Sequence, residues 1–147
     1  MLERIRPLAL LLGRIVIGVV FFAHGWQKFT VMGLDGTTAF FDSLGIPLAG
    51  AAAPAVAVLE VVGGIAFILG AGLPVFGPLL ALDMIGAIVF LHAGNGFFVE
   101  KGGFEFVLTL AATSLAIAFS GGGPLAVDSL LRRRRASAPA PAPASVA

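Results

Sequence analysis

Four long apolar segments, separated by short polar connections, set the hydrophobic pattern of this chain. They cover about residues 8–24, 48–69, 75–93 and 104–119. Each approaches the roughly 20 residues that an α-helix needs to cross the ~30 Å hydrocarbon core of a bilayer. A helix in lipid satisfies its own backbone hydrogen bonds, which an open strand cannot do. The pattern therefore predicts an all-α fold, an integral membrane four-helix bundle.

The first connection, residues 29–47, is longer than the other two and has a pattern of its own. Within it, residues 37–44 place two phenylalanines and a leucine on one side and polar residues on the other. This amphipathic spacing predicts a short interfacial helix that lies at the membrane surface. Thr37 or Thr38 is the expected N-cap of that helix, because a threonine hydroxyl can accept a hydrogen bond from a free backbone N–H.

The composition supports a membrane location. Hydrophobic residues make up 59% of the 147 residues, and charged residues make up 12%. Soluble domains carry about 25% charged residues, and a soluble fold of this length has too much surface to hide so many apolar side chains. The chain has no cysteine, which excludes disulfides, thiol exchange and cysteine-ligated iron–sulfur or zinc centres.

The net charge is only +1, but the basic residues are unevenly distributed. Four arginines at 132–135 follow the last apolar segment, and Arg4 and Arg6 precede the first, whereas Lys28 and Lys101 lie at the opposite ends of the segments. The positive-inside rule therefore places both termini in the cytoplasm. A basic run beside a membrane helix, without aromatic or polar neighbours, does not indicate nucleic-acid binding.

These features divide the chain into four parts. Residues 1–7 form a cytoplasmic N-terminal lead, residues 8–119 a four-span membrane domain, and residues 120–135 a basic cytoplasmic flank. Residues 136–147 are almost all alanine, proline and serine. Because this composition cannot form a packed core, it predicts a disordered tail.

Ionisable residues within the apolar segments are the candidates for function, because charges in hydrocarbon are costly and usually face the interior of a bundle. Seven such residues lie within the spans or at their outer ends: Arg14, His24, Lys28, Glu60, Asp83, His92 and Glu105. Arg14 and Glu60 have similar estimated depths, so they are predicted to face each other. Such a pair is either a polar staple that orients the helices or part of a proton or ligand site.

Residues in the outer halves of the spans are also expected to contact one another. His92 and Glu105 flank one short connection, so they are expected to approach each other, with Lys28 closing the same side. Together with Arg14 and Glu60, they are predicted to line a polar pocket for a small acceptor such as a quinone head group. A carboxylate beside a histidine makes a usable proton relay.

The two histidines, His24 and His92, are the residues that suggest a haem or metal ligand. Two histidines without further ligand spacing favour hydrogen-bonding roles, so no metal site is predicted. Asp83 and His92 are nine residues apart, on nearly opposite faces of an ideal helix, and share one site only if that helix bends. The chain has no phosphate-binding, dinucleotide or nucleophile motif, so no cofactor is encoded by motif.

The spaced polar and glycine residues resemble the DoxX family. The matching pattern is Arg14, His24-Gly25 and Lys28, then Glu60 with Gly63-Gly64, then His92-Ala93-Gly94-Asn95-Gly96-Phe97 followed by Gly103 and Glu105. The resemblance implies a four-helix protein of the bacterial inner membrane. The family shares its name with a subunit of a thiosulfate:quinone oxidoreductase, and some relatives are described as membrane partners in oxidoreductase complexes.

Three functions are compatible with these observations. The first is a membrane subunit of an oxidoreductase complex that contacts quinone, with the redox centre on a partner protein or on the quinone itself. The second is a non-enzymatic membrane anchor for a partner enzyme, and the third is a small proton-coupled transporter. The residues alone leave open whether any catalytic activity belongs to this chain.

Overall fold

Six α-helices make up the part of the chain that the structure describes. The structure is a computed structural model that describes residues 2–136, with side chains for residues 5–134 and 136. The helices are α1 (Leu2–Thr30), α2 (Gly33–Ser43), α3 (Ala49–Leu69), α4 (Leu73–Ala87), α5 (Glu105–Ser120) and α6 (Val127–Ala136). A π-helical turn (Ile88–His92) and a 3-10 turn (Ala93–Asn95) continue α4, and a second 3-10 turn (Val99–Lys101) precedes α5. The predicted all-α fold is confirmed.

Three of the helices are long and apolar enough to cross a membrane. They are α1, α3 and α4 with its continuation, over Ile5–Thr30, Ala49–Leu69 and Leu73–Asn95. The apolar helix α5 has 16 residues, which corresponds to a rise of about 24 Å. Large apolar side chains cover the outside of the helices, such as Val16 and Val19 on α1, which are 59% and 50% exposed. Because such a surface suits lipid rather than water, the chain is a helical membrane protein.

Helices α1 and α3 pack closely along a stripe of small residues. A Cβ atom added at Gly18 would lie 2.6 Å from the backbone oxygen of Gly64, and one added at Gly25 would lie 2.7 Å from the backbone nitrogen of Val61. Only glycine allows backbones to approach this closely, as is common between membrane helices. The approach brings Glu60 of α3 directly against the end of α1 that carries Lys28.

The apolar core lies between α1, α3, α4 and α5. Its largest buried members are Phe21, Phe67, Leu73 and Leu80, each at most 1% exposed, and Leu110 of α5 packs with them. The rings of Phe21 and Phe67 meet edge to face with centroids 6.4 Å apart, a favourable geometry for aromatic pairs. This core separates the polar residues at one end of the bundle from those at the other.

The short helix in the first connection is present, but it begins four residues earlier than predicted, at Gly33. Its N-cap is Met32, which provides no side-chain hydrogen bond, so the prediction that Thr37 or Thr38 caps it is wrong. Thr37 is buried inside α2 and donates to the backbone oxygens of Gly33 (2.9 Å) and Lys28 (3.3 Å). The helix starts early because only two residues follow α1, and the chain turns at Gly33 with a φ of 70°.

The two polar ends of the chain are helical where the structure describes them. Helix α1 starts at Leu2 and therefore runs through the predicted lead, residues 1–7. The predicted basic flank, residues 120–135, contains most of α6, which ends at Ala136. Of the tail predicted to be disordered, residues 137–147 lie outside the described residues.

Candidate functional site

The seven candidate residues occupy different levels of the bundle, between the end that carries α6 (the α6 end) and the end that carries α2 (the α2 end). Arg14 lies at the α6 end; Lys28, Glu60 and Asp83 lie together beneath α2; and His24, His92 and Glu105 lie near the α2 end, outside that cluster. The seven residues therefore do not line a single pocket, and they lie in separate regions of the bundle.

Lys28 and Glu60 form an ion pair within the bundle. The Nζ atom of Lys28 lies 2.5 Å from Oε2 of Glu60, and the two side chains are 17% and 4% exposed. The lysine also points its Nζ at the backbone oxygen of His24, at 3.5 Å. An isolated charge is costly inside a membrane bundle, so each residue of the pair lowers the free-energy cost of burying the other.

Asp83 of α4 lies next to this pair. Its carboxyl group is within interaction range of the Glu60 carboxyl group and of Lys28. The Oδ2 atom is buried, and no group of the described residues donates a hydrogen bond to it. The site thus combines one ammonium group with two carboxyl groups, and the imidazole of His24 lies within electrostatic range of Glu60.

These three residues are the polar part of the wall of a cavity of about 390 Å³ beneath α2. Apolar side chains form the rest of the wall, from α2, α3 and α4 and from the residues that follow them: Phe40, Phe41, Leu44, Ile46, Val56, Leu59, Leu79, Leu82, Met84, Phe90 and Leu91 are the large ones. A concave, mainly apolar site with a few convergent polar groups is typical of small-molecule binding sites. The cavity is therefore the candidate functional site.

Arg14 is 2% exposed and binds backbone carbonyl groups instead of a carboxylate. Its Nη1 atom donates to the oxygens of Phe67 (3.1 Å) and Ile68 (2.5 Å), and Nη2 donates to the oxygen of Leu125 (3.0 Å). The predicted contact between Arg14 and Glu60 is wrong. The last carbonyl groups of α3 lie beyond the regular helical hydrogen bonds, although the Phe67 oxygen also accepts from the nitrogen of Gly70 at 3.2 Å, and they carry the negative end of the helix dipole, so they attract the guanidinium group.

Asp128, which was not among the candidates, completes the same end of the bundle. Its Oδ1 and Oδ2 atoms accept hydrogen bonds from the backbone nitrogens of Gly72 (2.9 Å) and Leu73 (3.1 Å) at the start of α4. Its own nitrogen donates to the oxygen of Gly70 at 3.0 Å. The sequence signal was an acidic residue placed just ahead of a basic run. Together, Arg14 and Asp128 tie the segment after α5 to the turn between α3 and α4.

His92 and Glu105 bind the backbone of their shared connection rather than each other. Nδ1 of His92 is 2.7 Å from the oxygen of Gly102, and Oε1 of Glu105 accepts a hydrogen bond from the nitrogen of Val99 at 2.8 Å. Nδ1 of His24 is 2.9 Å from the oxygen of Val20. These contacts fix local turns, and they do not place the three side chains in the wall of the cavity.

Known proteins resemble this chain over most of its length. Residues 9–93 match the DoxX family model. A Bacillus subtilis (strain 168) protein named "Putative oxidoreductase CatD" is 37% identical over 118 residues, which cover 80% of this chain and 83% of that protein. The Escherichia coli (strain K12) "Inner membrane protein YphA" is 30% identical over 128 residues, which cover 84% of this chain and 90% of that protein. No solved structure gives a significant match.

The family match extends over more than half of the chain and includes all three polar residues of the cavity, Lys28, Glu60 and Asp83. The two relatives extend the similarity beyond residue 93, because each alignment covers at least 80% of the chain. Together with the apolar helices, the inner-membrane relative identifies a protein of the bacterial membrane. This chain belongs to the DoxX family.

Proposed function

We propose that this chain is the membrane subunit of a quinone-linked oxidoreductase complex and that the cavity beneath α2 receives the quinone head group. The observation that carries the proposal is the position of Lys28, Glu60 and Asp83 in the wall of an otherwise apolar cavity. A quinone head group is a flat apolar ring with polar oxygens at its edge, and it exchanges protons when it is reduced or oxidised. The apolar wall suits the ring, and the ionisable groups suit the oxygens and their protons.

The relatives support the redox part of this proposal. The Bacillus subtilis relative carries the word oxidoreductase in its name, and the similarity covers most of both chains. Since the present chain has no cysteine and no dinucleotide motif, a partner protein supplies the redox centre in this proposal. The chain then contributes the site at which the lipid-soluble acceptor binds.

The proposal includes four membrane passes with both termini in the cytoplasm. Arginines cluster at the α6 end, which the positive-inside rule assigns to the cytoplasm. Reporter fusions check this orientation: a fusion at Asp35 is expected to give an external signal, and fusions at Gly72 and after residue 135 are expected to give cytoplasmic signals. An external signal from the fusion after residue 135 would contradict the topology.

The mouth of the cavity faces the side of the bundle that contacts lipid. Leu79, Leu82 and Phe90 line the cavity and are 43%, 64% and 40% exposed. Gly86 lies in the same wall, and a Cβ atom added there would meet nothing within 4 Å. A ligand dissolved in the bilayer can therefore enter sideways, past Gly86, without passing through water.

Gly86→Leu is expected to fill this opening and to weaken the binding of decylbenzoquinone to the purified protein by about tenfold or more. Gly13→Leu is the matched control, because Gly13 also lies on a helix with nothing within 4 Å and is outside the cavity. Equilibrium dialysis in mild detergent measures the affinity, and thermal unfolding checks that both variants fold. Equal affinity of the Gly86→Leu variant and the unmodified protein would exclude the cavity as the site.

The measurement of decylbenzoquinone binding also distinguishes the quinone-linked subunit from the two alternatives, a membrane anchor and a proton-coupled transporter. If the unmodified protein does not bind decylbenzoquinone, the quinone proposal fails and the anchor remains. If quinone binding is absent and proteoliposomes that contain the protein take up a solute in response to a proton gradient, the transporter function is favoured over the anchor function.

A further inference from the structure

Helix α6 is held against the bundle by its first turn. The carboxylate of Asp128 accepts hydrogen bonds from the backbone nitrogens of Gly72 and Leu73, and the Asp128 nitrogen donates to the oxygen of Gly70. Arg132 follows Asp128 by four residues, which corresponds to a rise of about 6 Å along a helix. The basic part of α6 therefore begins about one helical turn from the start of α4.

A groove of about 600 Å³ lies between α6, the start of α4 and the end of α5. Apolar side chains form much of its wall, among them Val75, Phe119 and Leu131, which are 61%, 77% and 49% exposed. Arg132 lies in the same wall. Exposed apolar side chains of this size suit the acyl chains of a lipid, and an arginine beside them suits a phosphate group.

The surface of α6 repeats this combination of apolar and basic residues. Leu130 and Leu131 are each 49% exposed, and the exposed Arg134 follows them by four and three residues, so the three share one face of the helix. An arginine side chain can rest its stem on apolar surface while its guanidinium group reaches polar headgroups. A helix with this pattern is suited to the interface between lipid and water.

The charges at this end of the protein favour an anion. Helix α6 has four arginines and one aspartate, a net charge of +3. The aspartate, Asp128, also lines the groove, but each of its carboxyl oxygens already accepts a backbone hydrogen bond. Arg132 makes one side-chain hydrogen bond within the described residues, to Ser129 at 3.4 Å. Since a guanidinium group has five N–H donors, Arg132 has donors left for a phosphate group.

We propose that α6 and the groove beside it bind an anionic phospholipid. Arg132 binds the phosphate of the headgroup, and Arg134 adds positive charge nearby. An acyl chain lies in the groove against Val75 and Phe119. An acidic protein segment or a free phosphate ion would match the arginines but leave the apolar wall uncovered, whereas a phospholipid matches both. This groove and the cavity beneath α2 share no residue, so the proposal does not depend on quinone binding.

The test compares two lipids with the same acyl chains on the full-length purified protein in mild detergent, with native mass spectrometry as the measurement. Dioleoylphosphatidylglycerol, which is anionic, is expected to bind about tenfold or more tightly than zwitterionic dioleoylphosphatidylcholine, because each arginine near the headgroup adds attraction. Glycerol phosphate has a similar charge but no acyl chain, and at equal concentration it is expected not to displace the anionic lipid. Equal binding of the two lipids, or displacement by glycerol phosphate, would overturn the proposal.

The double variant Arg132→Gln with Arg134→Gln is expected to lower the preference for the anionic lipid at least threefold. Arg6→Gln with Lys101→Gln is the matched control, because it removes the same charge from two exposed positions outside the groove, and it is expected to keep the preference within twofold. Thermal unfolding checks that both variants fold, and the comparison of lipids on the unmodified protein tests the proposal if they do not. An equal loss in both double variants would overturn the proposal, because only the net charge would then matter.

Discussion

Lys28→Met is expected to lower the free energy of unfolding by about 3 kcal/mol, because it removes the single ammonium group from two adjacent carboxyl groups. Breaking a buried ion pair typically costs about 3–5 kcal/mol, and we expect the lower end because the Lys28 side chain is 17% exposed. Unfolding in detergent with increasing denaturant measures the loss. Methionine keeps most of the length and apolar character of the lysine stem, so packing changes little.

The double variant Lys28→Met with Glu60→Gln is the control for this prediction. Removing the charge of Glu60 as well removes the uncompensated carboxylate, so at least half of the lost stability is expected to return. If the double variant is as unstable as the sum of the two single variants, Lys28 and Glu60 do not depend on each other, and the ion pair does not contribute to stability.

Arg14→Leu is expected to lower the free energy of unfolding by about 3 kcal/mol or more. It leaves three buried or partly buried carbonyl groups, those of Phe67, Ile68 and Leu125, without their charged donor. Arg14→Lys is expected to recover only part of this loss, because an ammonium group cannot reproduce the planar fork of a guanidinium group. The measurement is again unfolding in detergent.

Two further variants make the Arg14 prediction specific. Arg6→Leu, on the same helix but exposed, is expected to leave the stability nearly unchanged. Adding Glu60→Gln to Arg14→Leu is expected to give no rescue, because the two side chains belong to different places in the bundle. A clear rescue by Glu60→Gln would show that Arg14 and Glu60 interact and that the assignment of their partners is incorrect.

The helices were predictable from the sequence because their signal is local. Runs of apolar residues fix where a membrane helix lies, and the second and fourth predicted segments differ from α3 and α5 by a single residue at their boundaries. The presence of the helix in the first connection was predictable for the same reason. Its start was not, because Thr37 has the chemistry of a cap but is used inside the helix to bind the backbone of Lys28.

The partners of the charged residues were less predictable, because depth along a helix locates a Cα atom and not the end of a long side chain. The position of Lys28 in the sequence is at the end of its span, but its long side chain carries the ammonium group to Glu60. The carboxylate was then no longer available to Arg14. Arg14 instead binds Leu125, which is 111 residues away in the chain. No periodicity or spacing in a single sequence reports a contact of that range.

Asp83 was a candidate for the intramembrane polar pocket at the estimated depth of Glu60, and its helical phase argued only against a compact site shared with His92. The π-helical turn Ile88–His92 lies between α4 and the connection to α5, so the two residues belong to different environments. What brings Asp83 to Glu60 is the packing of α4 beside α3, where Gly63 of α3 lies against the side chain of Leu80 of α4. Such packing is a property of the whole bundle.

The contacts of Arg14 and Asp128 also set an order for biogenesis. As the chain leaves the ribosome from its N-terminus, α1 enters the membrane with a buried arginine that lacks the carbonyl group of Leu125. The backbone N–H groups at the start of α4 likewise lack their acceptor, the carboxylate of Asp128, until that residue has been synthesised. Buried polar groups of the first helices therefore lack hydrogen-bond partners until residues 125–128 have been synthesised. Assembly of this bundle ends when the segment after α5 docks onto helices that were inserted long before it.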